Sequence, residues 1–177
     1  QAIRNGFVML TEDRRVQGIF PEMDVEFNAV IANIENYRGK IGLLNSNRMT
    51  NDTNTIIKNL GIKTPSPKTR IYSLSGGNQQ KVIFGRSLLV DADIFILDEP
   101  TRGIDVGAKY DIYQLIIDLA KNGKSIIFIS SEIHELLGIS DRILVLSNGY
   151  VSEDIDVKEM PQKATQEYIL ESAALYL

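Results

Sequence analysis

The chain contains no cysteine. That absence excludes disulfides, thiolate-ligated zinc, iron–sulfur clusters and a cysteine nucleophile, and it is compatible with a reducing cytoplasm. A single histidine, His134, excludes a site built from several imidazole ligands. No apolar run approaches the roughly 18–20 residues that a membrane-spanning helix requires. The first residues lack the pattern of a secretion signal. Net positive charge is missing as well: 19 Lys and Arg against 23 Asp and Glu leave −4. This argues against a polyanion-binding face over the whole chain while leaving room for a local phosphate site. What remains is ordinary for a globular chain, with 44% hydrophobic and 24% charged residues over 177 positions, enough for one domain with a sizeable core. The sequence opens on Gln1-Ala2-Ile3 without an initiating methionine, and its first methionine is Met9. It reads as a segment of a longer protein.

Phe7 to Thr11 reads as a short buried strand that ends in Glu12, Asp13, Arg14 and Arg15. From about Glu22 to Leu60 the pattern turns helical and interrupted. Val25, Ala29, Ala32 and Ile34 mark a first helix, and Ser46 is placed to cap a second that carries Met49, Ile56, Ile57 and Leu60, with Gly61 as its stop. Pro65 and Pro67 then fix a non-helical link. After Tyr72 the texture becomes α/β. A helix is expected over Asn78 to Leu89, a strand over Ile94 to Leu97, and an amphipathic helix over Asp105 to Lys121 that stops at Asn122-Gly123. Further buried strands are expected over Ile126 to Ile129 and Ile143 to Leu146. Asn148-Gly149 predicts a hairpin, and Gln162 to Leu175 a terminal helix. Helices alternating with continuous apolar strands argue for a mainly parallel sheet.

Two clusters carry chemistry. Leu74-Ser75-Gly76-Gly77-Asn78-Gln79-Gln80-Lys81 places two glycines and a serine hydroxyl immediately before a helix. Bare amides, a hydroxyl and the positive end of a helix dipole then converge where an anion would sit, although Ser-Gly-Gly alone is also a common turn and cap. Thirteen residues after Lys81, the apolar run Ile94-Phe95-Ile96-Leu97 ends in Asp98-Glu99-Pro100. Adjacent carboxylates at a strand end suit phosphate chemistry, one holding a metal ion through water and the next polarising a water, or they are simply two solvated acids.

In their order and spacing, Leu-Ser-Gly-Gly-Asn-Gln-Gln, Ile-Leu-Asp-Glu-Pro-Thr and Gly103-Ile104-Asp105 resemble the nucleotide-binding domain of an ABC transporter. Thr11 to Arg15, Arg102 to Lys109 and Ser130-Ser131-Glu132 look like the second ATPase half of the fused subunits of bacterial monosaccharide importers. Phe27-Asn28, Ile34 to Tyr37 and Gly42-Leu43-Leu44 are similar to the galactose/methyl-galactoside branch of that group. The resemblance implies a P-loop NTPase-type α/β fold, with a mainly parallel sheet and an α-helical signature subdomain. Residues 1–20 and 90–160 would form the α/β core, 21–89 the helical subdomain, and 161–177 a C-terminal helix. It further implies ATP and Mg²⁺ as cofactors, and a peripheral place on the cytoplasmic face of the bacterial inner membrane. The implied partners are the N-terminal ATPase half of the same subunit, membrane permease subunits and, indirectly, a periplasmic or surface sugar-binding protein; no nucleic acid is implied.

By the same resemblance, Ser75, Gly76, Gly77, Asn78 and Gln79 belong to the signature loop that closes over the γ-phosphate held by the partner half. Asp98 would coordinate magnesium, Glu99 would position the attacking water, and Asp105 would sit at the dimer interface while also capping a helix. Arg14, Arg15, Phe20, Met23 and Phe27 are placed to meet the permease, or are ordinary core in the case of Met23 and Phe27. An ABC-type ATPase not tied to transport, and a non-catalytic interaction fragment, are the alternative readings.

Three departures from the family pattern stand out. No Gly-x-x-x-x-Gly-Lys-Ser/Thr occurs, and Arg38-Gly39-Lys40-Ile41 lacks the first glycine and the hydroxyl. This chain alone is therefore expected to bind ATP weakly and to be inactive, and its sheet to lack the strand of that loop. In the family that strand lies between the strands expected here to begin at Ile126 and at Ile143. The Q-loop position carries Glu12 in place of an amide. The switch-histidine position carries Ser131, while His134, three residues on, reads as a surface residue. The composite site that uses Glu99 is thus expected to be impaired, and the site that borrows the signature loop to be intact.

Overall fold

The computed structural model describes residues 2–39 and 41–175, and of Arg15 the backbone. The chain divides into two compact units at the junction of Ile129 and Ser130. In the first unit, β1 (Phe7–Leu10), β2 (Ile94–Asp98) and β3 (Ser125–Ile129) form a parallel sheet in the order β1-β2-β3. Phe7 lies opposite Ile94, and Ile94 opposite Ser125. Parallel strands need crossovers. The first runs through α1 (Val25–Val30), α2 (Ser46–Asn59) and α3 (Gly76–Leu89), and the second through α4 (Val106–Lys121). The core gathers Leu10, Phe95, Leu97, Phe84, Val82 and Ile112, all nearly inaccessible.

The strands depart from the continuous burial expected of them. Val8 and Leu10 are buried while Met9 points outward, and in β3 Ile127 and Ile129 are exposed. Side chains alternate across a strand, and among the described residues helices cover only one face of these strands well.

Local chemistry sets the helix ends. Asp24 caps α1 by accepting from the Phe27 N–H at 2.7 Å. The helix then tightens into 3₁₀ turns over Ile31–Tyr37, with Asn33 at a non-helical φ of −123°. Its side chain leaves the helical pattern to donate to the Leu89 carbonyl at 2.6 Å. The cap of α2 is Asn45 and not Ser46: Asn45 is extended and accepts from the Arg48 N–H at 3.0 Å, whereas Ser46 is the first helical residue. Gly61, at φ +58°, follows its end. α3 starts two residues earlier than the apolar pattern indicates, at Gly76.

In the second unit, β4 (Arg142–Ser147) and β5 (Tyr150–Asp156) pair antiparallel around Asn148-Gly149. Both turn residues have positive φ, 45° and 84°, as a type I′ hairpin requires. α5 (Ile133–Ile139) and α6 (Gln166–Ala173) complete the unit. Its core is Ile143, Val145, Ile155 and Ile169, with Leu136, Leu137 and Met160 packed against it. α6 begins later than the apolar pattern indicates, because Thr165 is extended and caps the helix by accepting from the Tyr168 N–H at 3.3 Å. Tyr176 and Leu177, the end of the expected 161–177 segment, lie outside the described residues. Among the described residues β3 pairs only with β2 and β4 only with β5, and no helix is long and apolar enough to cross a membrane.

Candidate functional site

The start of α3 is held from several sides. Gln79 donates through its side-chain amide to the carbonyls of Ile71, at 3.2 Å, and Leu74, at 3.1 Å. Lys81 is buried and pairs with Asp111 of α4 at 2.7 Å. Gly77 lies directly on α4: a Cβ there would stand 2.6 Å from the Ala108 methyl carbon, so only glycine permits this approach. Asp105 caps α4 by accepting from the Ala108 N–H at 3.0 Å, and its other oxygen is 3.9 Å from the Cβ direction of Gly77. The start of α3 and Asp105 are therefore neighbours.

Ser75 is extended at the N-cap of α3, yet its hydroxyl caps no helix N–H. It accepts a hydrogen bond from the Asn78 amide at 2.8 Å, and the Asn78 carbonyl oxygen accepts from the Lys63 N–H at 2.7 Å. The uncapped first-turn amides of a 14-residue helix, the exposed hydroxyl and the dipole's positive end share one place. The Arg14 guanidinium adds positive charge there: one of its nitrogens is 2.9 Å from where a Cβ of Gly76 would stand.

The acid pair sits where β2 stops. Asp98 closes the ladder opposite Ile129. Glu99 leaves it in the left-handed region, at φ +46°, a conformation unusual for glutamate. The Glu99 N–H donates to the Ile129 carbonyl at 3.0 Å, and its carbonyl accepts from the Arg102 N–H at 3.1 Å. These two bonds hold the turn. Glu12, Asp13, Arg14, Gln80, Glu99 and Arg102 line one open cleft of about 310 Å³. Within it Glu12 is ion-paired with Arg102. Gln80 is only 3% exposed, and its side-chain carbonyl oxygen meets no donor.

Glu12 and Glu99 are thus brought together in one cleft, while the loop from Ser75 to Gln79 gathers with Asp105. Ser131 lies in the second unit, beside a turn in which the Ser130 hydroxyl accepts from the Glu132 N–H at 3.0 Å and donates to the buried Glu135 carboxylate at 2.9 Å. His134 is a surface residue, 3.3 Å from the Glu132 carboxylate.

Sequence reasoning gave no role to Arg102 opposite Glu12, or to the polar knot of Arg86 and Asn28. The Arg86 guanidinium on α3 donates to the Asn28 backbone carbonyl at 2.6 Å and to its side-chain oxygen at 3.3 Å. Asn28, fully buried, also accepts from the Phe20 N–H at 2.8 Å and donates to the Phe20 carbonyl at 3.0 Å. Burial lowers the Arg86 pKa to about 10. The knot ties α3 to the segment after Arg14. On that segment Phe20 meets Phe27 edge to face, with 5.5 Å between ring centroids, and Met23 is 41% exposed, which removes it from the core. Met23 and Phe27 line a second pocket with Glu26, Met49, Lys68 and Arg70. The Arg15 side chain and Lys40 lie outside the described residues.

The first unit thus joins a parallel sheet whose central strand ends in paired carboxylates to a helix that opens on an uncapped Ser-Gly-Gly. Residues 1–102 match the family described as ABC transporter, and the chain belongs to that family. Over all 177 residues it is 57% identical to the galactose/methyl galactoside import ATP-binding protein MglA of Escherichia coli K12, and equally to those of Shigella flexneri and Salmonella typhimurium. It spans about a third of the length of these curated relatives, 34%. Among solved structures it is similar to the dimeric post-hydrolysis state of the ATP-binding cassette MJ0796 bound to ADP and Pi. That likeness has a TM-score of 0.72 at 21% identity, over 85% of this chain and 62% of the other. A second dimeric structure of MJ0796, a bacterial ABC transporter cassette, gives a TM-score of 0.70 at 23% identity, over 86% and 62% of the two chains. At these identities the likeness establishes the cassette fold.

Proposed function

We propose that this chain is part of an ATP-hydrolysing subunit that powers import of a monosaccharide, of the galactose and methyl-galactoside class, through a membrane permease. The sugar class rests on the relatives' function. The observation that supports the mechanism is the start of α3, where an exposed serine and uncapped amides lie beside Arg14. Such an arrangement recognises a phosphate oxygen through donors alone. The anion we assign is the γ-phosphate of ATP held by the other ATPase half of the same subunit, so that Ser75, Gly76 and Gly77 act in trans, with Gln79 anchoring their loop and Asp105 at the junction of the halves.

In the chain's own site, Glu99 would orient a water toward a phosphate, from the left-handed turn that ends β2. Magnesium takes one or two carboxylates, phosphate oxygens and water in place of an all-protein cage. The single strand-end carboxylate of Asp98 fits that pattern, and among the described residues no group of three acidic or imidazole side chains forms a cage. The ion, when bound, neutralises phosphate charge. The Glu12 carboxylate is engaged by Arg102, which supports a weak role for this second site. The exposed Phe20 and Met23 face would receive the permease at the cytoplasmic side of the inner membrane, with the sugar delivered from the far side by a binding protein.

The test is the complete subunit with its permease in sealed vesicles. Galactose presented with a binding protein is expected to stimulate ATP hydrolysis. Stimulation by a different monosaccharide alone would change the substrate, and no stimulation by any sugar would contradict the transport reading.

A further inference from the structure

The amide of Asn78 has two ends with opposite chemistry, and its surroundings decide which way it points. A backbone N–H only donates, so the atom 2.7 Å from the Lys63 nitrogen is the Asn78 carbonyl oxygen. The other end is then the NH₂ group, 2.8 Å from the Ser75 oxygen. Reversing the amide would set donor against donor at Lys63. The Ser75 oxygen therefore accepts from Asn78, and its own proton is turned away from that contact. The hydroxyl caps no helix amide. Ser75 is exposed, and its proton has no acceptor among the described residues. Were a carboxylate or carbonyl oxygen in place of the NH₂ group, the serine would donate inward and present only lone pairs outward, the wrong polarity for an anion.

We propose that Asn78 is a positioning residue that holds Ser75 as a hydrogen-bond donor toward an arriving phosphate oxygen, with the Lys63 N–H setting the direction of the amide. The proposal rests on the reading that Ser75 meets the γ-phosphate in trans. It adds that the side chain at position 78 acts through the serine proton and not through packing.

The experiment is a double-mutant cycle in the complete subunit assembled with its permease, reading sugar-stimulated ATP hydrolysis for Ser75→Ala, Asn78→Ala and the double variant. A bond to a charged phosphate is worth about 1.5–3 kcal/mol, so Ser75→Ala is expected to lower kcat/KM about ten- to hundredfold. Asn78→Ala frees the hydroxyl rotor without removing it, and is expected to cost about three- to tenfold beside Ser75 but less than about twofold in the Ser75→Ala background. Equal losses in both backgrounds would overturn the proposal and leave Asn78 as a packing residue. Unchanged hydrolysis in Ser75→Ala would instead overturn the signature reading beneath it.

Asn78→Asp keeps the acceptor for Lys63 and the shape of the side chain, so it serves if the alanine variant fails to assemble. Its loss has two parts, the added charge and the reversed serine proton, and only the first survives in Ser75→Ala. A larger fold-loss beside Ser75 than beside Ala supports the proposal, and the same fold-loss in both contradicts it. Thermal melting by circular dichroism identifies any variant whose loss is one of folding.

Discussion

Burial gives two side chains chemistry that their types do not ordinarily have. Tyr37 is sealed in the helical layer, donates to Asp52 at 2.9 Å and has its pKa raised to about 12 by burial and by that carboxylate. A group whose folded pKa is raised contributes stability below its unfolded pKa, near 10, and loses it as pH climbs toward 12. Arg86, lowered to about 10, works in the opposite direction over the same range. The net pH–stability curve is therefore no test, whereas the difference between parent and Tyr37→Phe is. Between pH 9 and 11 the parent is expected to lose about 1 kcal/mol relative to Tyr37→Phe, measured by urea unfolding at each pH. A constant difference would show that Tyr37 titrates as if exposed. The candidate residues Ser75, Asp98, Glu99 and Asp105 are proposed from their near neighbours in the chain. Those that were not legible depend on distant partners: Arg86 meets Asn28 across 58 positions, and Lys81 meets Asp111 across 30. Spacing in sequence carries no signal for such pairs.

Among the elements, α3 and α4 place the site, and their caps divide labour. Ser75 occupies a cap position without capping, whereas Asp105 caps fully. Replacing a capping aspartate by alanine costs about 1 kcal/mol, whereas another capping side chain retains most of that. Asp105→Ser is accordingly expected to keep the parent melting temperature within a degree or two while lowering ATP hydrolysis, and Asp105→Ala to lower both. Full activity in Asp105→Ser would reduce this residue to its cap. The positions of α1 to α4 and α6 were legible from apolar periodicity and stop signals, whereas the short α5 was not. Exact starts were not, because Asn45, Ser46, Thr165 and Ser75 are all capable caps and only the backbone decides which one is extended. Strand burial was misread for a similar reason: a continuous apolar run does not reveal that one face lacks cover.

For the molecule as a whole, the parallel sheet and the hairpin each leave apolar side chains outside, among them Met9, Ile127, Ile129, Leu144 and Leu146. Unpaired strand edges bearing such side chains recruit other strands. The isolated chain is expected to sediment as species larger than a monomer, and Ile127→Lys with Leu144→Lys to shift it toward monomer. A parent that sediments as a monomer would contradict this expectation. We propose a division of labour in which the Ser-Gly-Gly loop serves the ATP of the partner half, while Asp98 and Glu99 serve a weaker site. Its most direct measurement is steady-state ATP hydrolysis by the complete subunit with its permease, comparing Gly76→Asp with Glu99→Gln. Abolished hydrolysis in Gly76→Asp, with most of it retained in Glu99→Gln, is the predicted result; loss in Glu99→Gln with activity kept in Gly76→Asp would contradict the account.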